Sequence, residues 1–256
     1  MFIDAHCHIN SLAEEKISNV TSACLSGYTF IDSSINFQST LNSLRLSDKY
    51  PFVYSAIGFH PFSANEFSEA VIADYEKILL SNKKVVAIGE IGLDELADTP
   101  LKEQEEIFCR FLVLAKQFNL PVIIHNRISE VISGDSSRPR IFDILDRHFP
   151  SYEKIIFHCF SYSKTFLERI TEKHGYASFS LNVLRKKKDI LESLRAVSLG
   201  NLLLETDSPY MKIDRRPSSP LDIEAVYSFV AAMRNLELQE LKEAVYSNAK
   251  KLFSLK

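Results

Sequence analysis

The chain contains no tryptophan, no cysteine pair at CxxC spacing and no apolar run long enough to cross a membrane. Each absence removes a class of protein. A spanning helix needs roughly 20 consecutive apolar residues, so no membrane-spanning helix is expected. Cys7, Cys24, Cys109 and Cys159 are scattered, which fits neither a disulfide framework nor a zinc finger and reads as reduced thiols in the cytoplasm. The opening MFIDAHCHIN lacks the basic segment and apolar stretch of a signal peptide. There is no surplus of positive charge either: 30 Lys and Arg against 33 Asp and Glu leave a net charge of −3. No global field therefore favours a long polyanion, and such a ligand has to be gripped locally. No low-complexity linker, fixed-period repeat or docking segment for an obligate protein partner is apparent.

What remains is ordinary globular composition, 46% hydrophobic and 25% charged over 256 residues, which suits a single domain spanning 1–256. Short β-branched runs alternate with segments of helical period. The expected strands are 2–5, 29–32, 53–58, 85–90, 121–125, 154–158, 176–180 and 201–206. The clearest helix covers 103–118, where Ile107, Phe111, Leu114, Ala115 and Phe118 share a stripe. Others fall near 12–25, 38–49, 66–81, 140–148, 164–174, 187–197, 220–234 and 238–253. Eight strand–helix units predict an α/β fold of the (β/α)8 TIM-barrel type. A doubly wound open sheet competes, because alternation alone does not show closure.

The placement of polar residues favours the barrel. His6 and His8 end the first strand, His60 the third, Glu90 the fourth, His125 the fifth and His158 the sixth, and Asp207 follows the eighth. In a barrel all of these lie on the C-terminal rim, where functional groups converge. An open sheet would spread them along one edge. A lone histidine at a strand end is usually a satisfied polar residue, but five of the seven histidines fall this way with two carboxylates. Residues two apart share a strand face, so His6 and His8 both point inward, with Asp4 one layer deeper. Glu205 lies beneath Asp207 in the same sense. Asp4 and Glu205 are therefore expected to hold ligand imidazoles in one tautomer. Cys7 and Cys159 point the other way by parity. Six ligands (His6, His8, Glu90, His125, His158 and Asp207) exceed one tetrahedral ion and suit two divalent ions, Mg, Mn or Zn, sharing a carboxylate.

With these residues in view, the chain resembles the TatD-type deoxyribonuclease family of the amidohydrolase superfamily. FIDAHCHIN resembles its opening HxH strand, AIGFHP (56–61) its GxHP segment and AIGEIGLDE (87–95) its GEIGLD segment. LPVIIHNR (120–127), IIFHCFS (155–161), LLLETDSP (202–209) and NAKKLFSL (248–255) continue the series in order. The resemblance implies a TIM barrel and metal-dependent phosphodiester hydrolysis, commonly 3′-to-5′ removal of nucleotides from DNA strand ends. It implies His6, His8 and Asp207 on one ion, His125 and His158 on the other, and Glu90 bridging. Asp207 would also act as general base, with Glu90 beside it in the catalytic pair, and His60 and Arg127 would contact substrate phosphate. Tyr162 after Ser161, Glu95 after GLD, the stretch SLNVLRKKK and the segment 126–140 depart from the family pattern.

Two basic runs, Arg185–Lys188 and Arg215–Arg216, follow strands seven and eight, where barrels often bind phosphate. Phe59, Phe62, Tyr162 and Tyr210 stand beside rim motifs and can stack bases. Ester or amide hydrolysis, as by a D-aminoacyl-tRNA deacylase or cyclic amidohydrolase, needs the same activated water. A bridging glutamate, where amide hydrolases commonly use a carboxylated lysine, favours the nuclease. A metal-keeping scaffold without activity is the third reading.

Overall fold

A computed structural model describes residues 1–23, 27–128, 140–213 and 215–255. Its strands are β1 (Phe2–Cys7), β2 (Tyr28–Ser33), β3 (Val53–Ile57), β4 (Val85–Asp94), β5 (Val122–Arg127), β6 (Ile155–Phe157), β7 (Tyr176–Phe179) and β8 (Leu202–Leu204). All pair in parallel, each with its sequence neighbour. The first and last strands meet at their C-terminal ends. There the Asp207 N–H donates to His6 O at 3.0 Å and the His8 N–H to Ser208 O at 2.8 Å. The sheet thus curls into a barrel, and the open-sheet alternative falls away.

The helices are α1 (Glu14–Ala23), α2 (Phe37–Lys49), α3 (Glu69–Ser81), α4 (Leu101–Gln117), α5 (Arg140–His148), α6 (Lys164–Glu172), α7 (Lys188–Ala196), α8 (Ile223–Arg234) and α9 (Leu238–Phe253). Local chemistry starts several of them. Asn36 accepts from the Ser39 N–H while the Ser39 hydroxyl accepts from the Asn36 N–H, a reciprocal cap on α2. Ser163 caps α6 through the Phe166 N–H. The stripe expected on α4 is buried at Ile107, Phe111, Leu114 and Ala115, joined by Phe108 and Leu112, and it packs on β4. Among the described residues no helix is long and apolar enough to cross a membrane.

Several boundaries differ from expectation, three of them for a clear local reason. β4 does not end at Glu90 but runs on to Asp94, because Gly92, Leu93 and Asp94 continue the ladder against His125, Asn126 and Arg127 after a register shift. β8 stops at Leu204 rather than at 206: the Glu205 N–H still reaches Phe179 O at 3.1 Å, but the Thr206 N–H turns to Asp4 at 2.9 Å. α3 begins at Glu69, because Pro61–Glu66 winds as a tighter 3-10 turn. A short antiparallel pair, β9 (Lys212–Ile213) with β10 (Arg216–Pro217), was not expected. Cys24 and most of the segment 126–140, at 129–139, lie outside the described residues.

Candidate metal centre

Of the site residues expected from the sequence, His8, His60, Glu90, His125, Arg127, His158 and Asp207 line one cavity, whereas His6, Asp4 and Glu205 do not. The cavity measures about 320 Å³ and is lined by His8, His60, Glu90, His125, His158 and Asp207, with Ile35, Phe62, Arg127 and Tyr210 nearer its mouth. Glu90 stands at its centre. Its Oε2 lies 3.3 Å from His6 Nε2 and 3.5 Å from His8 Nε2. Its Oε1 lies 2.7 Å from His125 Nδ1, 2.8 Å from His158 Nε2 and 3.4 Å from His60 Nε2. One carboxylate therefore faces two separate groups of imidazoles. Asp207 Oδ1 is 3.5 Å from His8 Nε2 and 3.9 Å from His6 Nε2.

The outer partners decide which nitrogen of each ring faces inward. The His8 Nδ1–H donates to Ser33 O at 2.9 Å, and since a carbonyl only accepts, the inward Nε2 of neutral His8 is a lone pair. His6 Nδ1 meets the Ser33 hydroxyl at 3.0 Å. His125 is reversed: its Nε2–H donates to Asp94 Oδ2 at 2.7 Å, so Nδ1 faces Glu90. His158 presents Nε2, with Glu205 Oε1 3.4 Å behind Nδ1. His60 Nδ1 accepts the Phe62 N–H at 3.1 Å, which leaves the proton of neutral His60 on Nε2, pointing inward.

The electrostatics call for positive charge. Burial would raise Glu90, but His158, His60, His6 and His125 hold it well below the carboxylate range. Burial opposes ionisation of Asp207 too, and His8 and His158 still bring it down. In return, Glu90 and Glu205 lift His158 well above the imidazole range against its burial. Asp207 and Glu90 raise His8, and Asp94 and Glu90 raise His125, again against burial. Burial prevails at His6 and His60, which are lowered. The inward nitrogens of His6 and His8 lie 3.0 Å apart, an arrangement a shared cation satisfies. Three overlapping sets, His6–His8–Glu90, His6–His158–Asp207 and His60–Glu90–His125, keep their ligand atoms within 4.8 Å. Imidazole and carboxylate donors without thiolate suit a borderline or hard divalent ion, so these residues fit one.

Other expectations divide. Glu205 stands behind an imidazole, and its Oε1 also accepts the Cys159 N–H at 2.6 Å. Asp4 does not hold an imidazole. Its carboxyl, raised well above the usual range by burial, accepts the N–H and hydroxyl of Thr206 at 2.9 and 2.5 Å and ties β1 to the end of β8. Asp94 and Ser33 take the positions behind His125, His6 and His8, and neither was singled out as a site residue. Arg127 is half exposed, 3.6 Å from Asp94. Cys7 faces away, its thiol 3.6 Å from Ile31 O. The basic runs do not line the cavity: Arg216 is paired with Asp222 at 2.7 and 2.9 Å, and Lys188 lies 3.8 Å from Glu192. Of the four aromatics, Phe59 is buried against Phe67 and Phe111. Tyr162 stacks on Phe166 and bonds through its hydroxyl to Asn126. Phe62 and Tyr210 stay open at the mouth, 54% and 53% exposed.

Comparison with known proteins gives a consistent result. The sequence model of the family described as TatD related DNase matches residues 3–254. A metal-dependent hydrolase of Methanocaldococcus jannaschii is 31% identical over 257 residues, 98% of this chain and 96% of the relative. A protein of Salmonella typhimurium named 3'-5' ssDNA/RNA exonuclease TatD is 28% identical over 232 residues, 86% of this chain and 85% of its own. The crystal structure of YjjV, a TatD homolog from Escherichia coli K12, superposes with a TM-score of 0.88 at 27% identity and covers 100% of this chain and 98% of that one.

Proposed function

The chain belongs to the TatD-related DNase family of metal-dependent hydrolases, and from that premise we propose that it removes nucleotides from DNA strand ends, 3′ to 5′, with two divalent ions. The observation that carries the reading is Glu90, one carboxylate facing two groups of imidazoles. In this reading His6, His8 and Asp207 would hold one ion and His125 and His158 the other, with the Glu90 carboxylate shared between them. The ions, when bound, polarise the phosphoryl group and acidify a water. Mg, Mn and Zn all suit the donor set. The free thiols Cys7, Cys109 and Cys159 support a reducing, cytoplasmic setting.

The protein's own groups supply the rest. Asp207, ionised and partly open to the cavity, takes the proton of the attacking water as general base. The His60 Nε2–H, fixed by the Phe62 N–H, donates to a phosphoryl oxygen or the leaving oxygen. Arg127 reaches the mouth from the end of β5 and pairs with phosphate as it leaves the long 3.6 Å contact with Asp94. Glu205, Asp94 and Ser33 keep the imidazoles turned inward. A cavity of about 320 Å³ is small among ligand sites and takes one strand end, not a duplex.

The test is a time course on end-labelled single- and double-stranded DNA with Mg, Mn or Zn, alongside aminoacyl-ester and cyclic-amide panels. Stepwise shortening from the 3′ end is expected. Turnover of an ester or amide with DNA untouched would overturn the nuclease reading. Ion removal has its own signature, independent of substrate. An ion at about 100 times its Kd stabilises the fold by about 2.7 kcal/mol, so a chelator should lower Tm by roughly 5–10 °C for a chain of this size. A protein with His6 and His8 replaced by alanine should show a smaller shift in differential scanning calorimetry, keeping only the part due to an ion at His125 and His158.

A further inference from the structure

Two large rings stand open at the mouth of an otherwise buried polar site. Phe62 follows β3 and Tyr210 follows β8, three strand positions apart around the eight-membered ring, so they flank the opening from different sides. The Phe62 ring lies 5.5 Å from the His60 ring at an interplanar angle of 4°. The imidazole therefore lies parallel to the ring and overlaps it only in part, and Phe62 remains 54% exposed. Tyr210 meets His8 edge-on at 4.8 Å and 68°, which braces it without covering it.

The hydrogen bond that orients His60 comes from the Phe62 backbone N–H, which any residue but proline supplies, while the ring packs parallel to the imidazole and remains half exposed. In the proposed reading His60 contacts the reacting phosphate, which would bring the base of the same nucleotide within reach of the neighbouring Phe62 ring. A phenyl ring stacks on any base, because every base has a π face.

Resting on the proposed nuclease reading, we propose that Phe62 is the stacking platform for the terminal nucleobase, with Tyr210 bounding the slot on its other side. The protein would then require a base at the strand end while remaining indifferent to which base it is.

The experiment compares two short 5′-labelled single strands, identical except that one carries an abasic tetrahydrofuran sugar at its 3′ end. Fluorescence anisotropy on metal-free protein gives Kd for each, and kcat/KM follows with metal added. Wild type is expected to favour the base-ended strand. Phe62→Ala should reduce that preference by about 5- to 100-fold, and Phe62→Trp should restore it. Equal weakening of both strands by Phe62→Ala, or no preference in wild type, would overturn the proposal. Loss of preference in binding without nucleotide release under any ion would overturn the nuclease reading and leave the platform standing. Degradation with an unchanged preference would do the reverse.

Discussion

Replacing Asp207 by asparagine is expected to leave a folded barrel whose turnover falls by about 10²- to 10⁴-fold, the usual contribution of a general base. The substitution suits the backbone unusually well. Asp207 has a φ of 54°, in the left-handed region where asparagine is among the few tolerated side chains. Its N–H donates to His6 O, and its own carbonyl accepts from Tyr210 and Met211, bonds that no change of side chain removes. The amide keeps the shape of the carboxylate but cannot take a proton. Initial rates under saturating metal, set beside thermal melts of the metal-free proteins, check both halves. Asp207→Ala should lose activity similarly but also about 1 kcal/mol of stability, because alanine is strained at this φ. Near wild-type turnover in Asp207→Asn would move the base elsewhere, with Glu90 next in line.

The largest structural effect is expected at Gly92. It lies opposite His125 in the β4–β5 ladder with a φ of 149°. A Cβ there would stand 1.8 Å from the His125 carbonyl oxygen and 2.8 Å from its carbon. The obstacle is backbone, so no rotamer relieves it. Either β4 or β5 must shift, and together they carry Glu90, Asp94 and His125. Gly92→Ala should therefore cost more than about 4 kcal/mol, the range reserved for backbone clashes and broken networks, out of a typical total of about 5–15. Guanidinium titration should show this as a much lower midpoint or as loss of soluble protein. Gly200→Ala, where the nearest atom to an added Cβ is 3.9 Å away, is the control and should change little. An unaltered midpoint for Gly92→Ala would mean the two strands can separate without cost.

The histidines and acids were legible in the sequence because strand ends carry a chemical mark: an imidazole there is conspicuous against β-branched neighbours. The groups behind them were not. Ser33 looks like any residue closing a strand, yet its hydroxyl and carbonyl set both His6 and His8. Asp94 was hidden by reading strand four as finished at Glu90, although Glu90, Gly92 and Asp94 lie two apart along one continuous strand. Asp4 shows the limit of parity. Alternation says that a side chain points inward, but not which neighbour across the ring it meets, and here it meets Thr206. Burial separated the four rim aromatics, which sequence alone leaves equal. Pairing did the same for the basic runs, since Arg216 is held by an aspartate six residues on.

The two bonds that join the ends of the first and last strands also make the centre a late event in the life of the chain. His6 and His8 leave the ribosome almost at once, whereas Asp207 follows about 200 residues later, on the order of 10–40 s at roughly 5–20 residues per second. Until then the HxH pair has neither its aspartate nor the partner strand that positions it. A nascent or truncated chain is accordingly unable to assemble the set of ligands, and hydrolytic power appears only with the closing of the ring. A metal-dependent hydrolase is in this way kept inactive throughout its own synthesis.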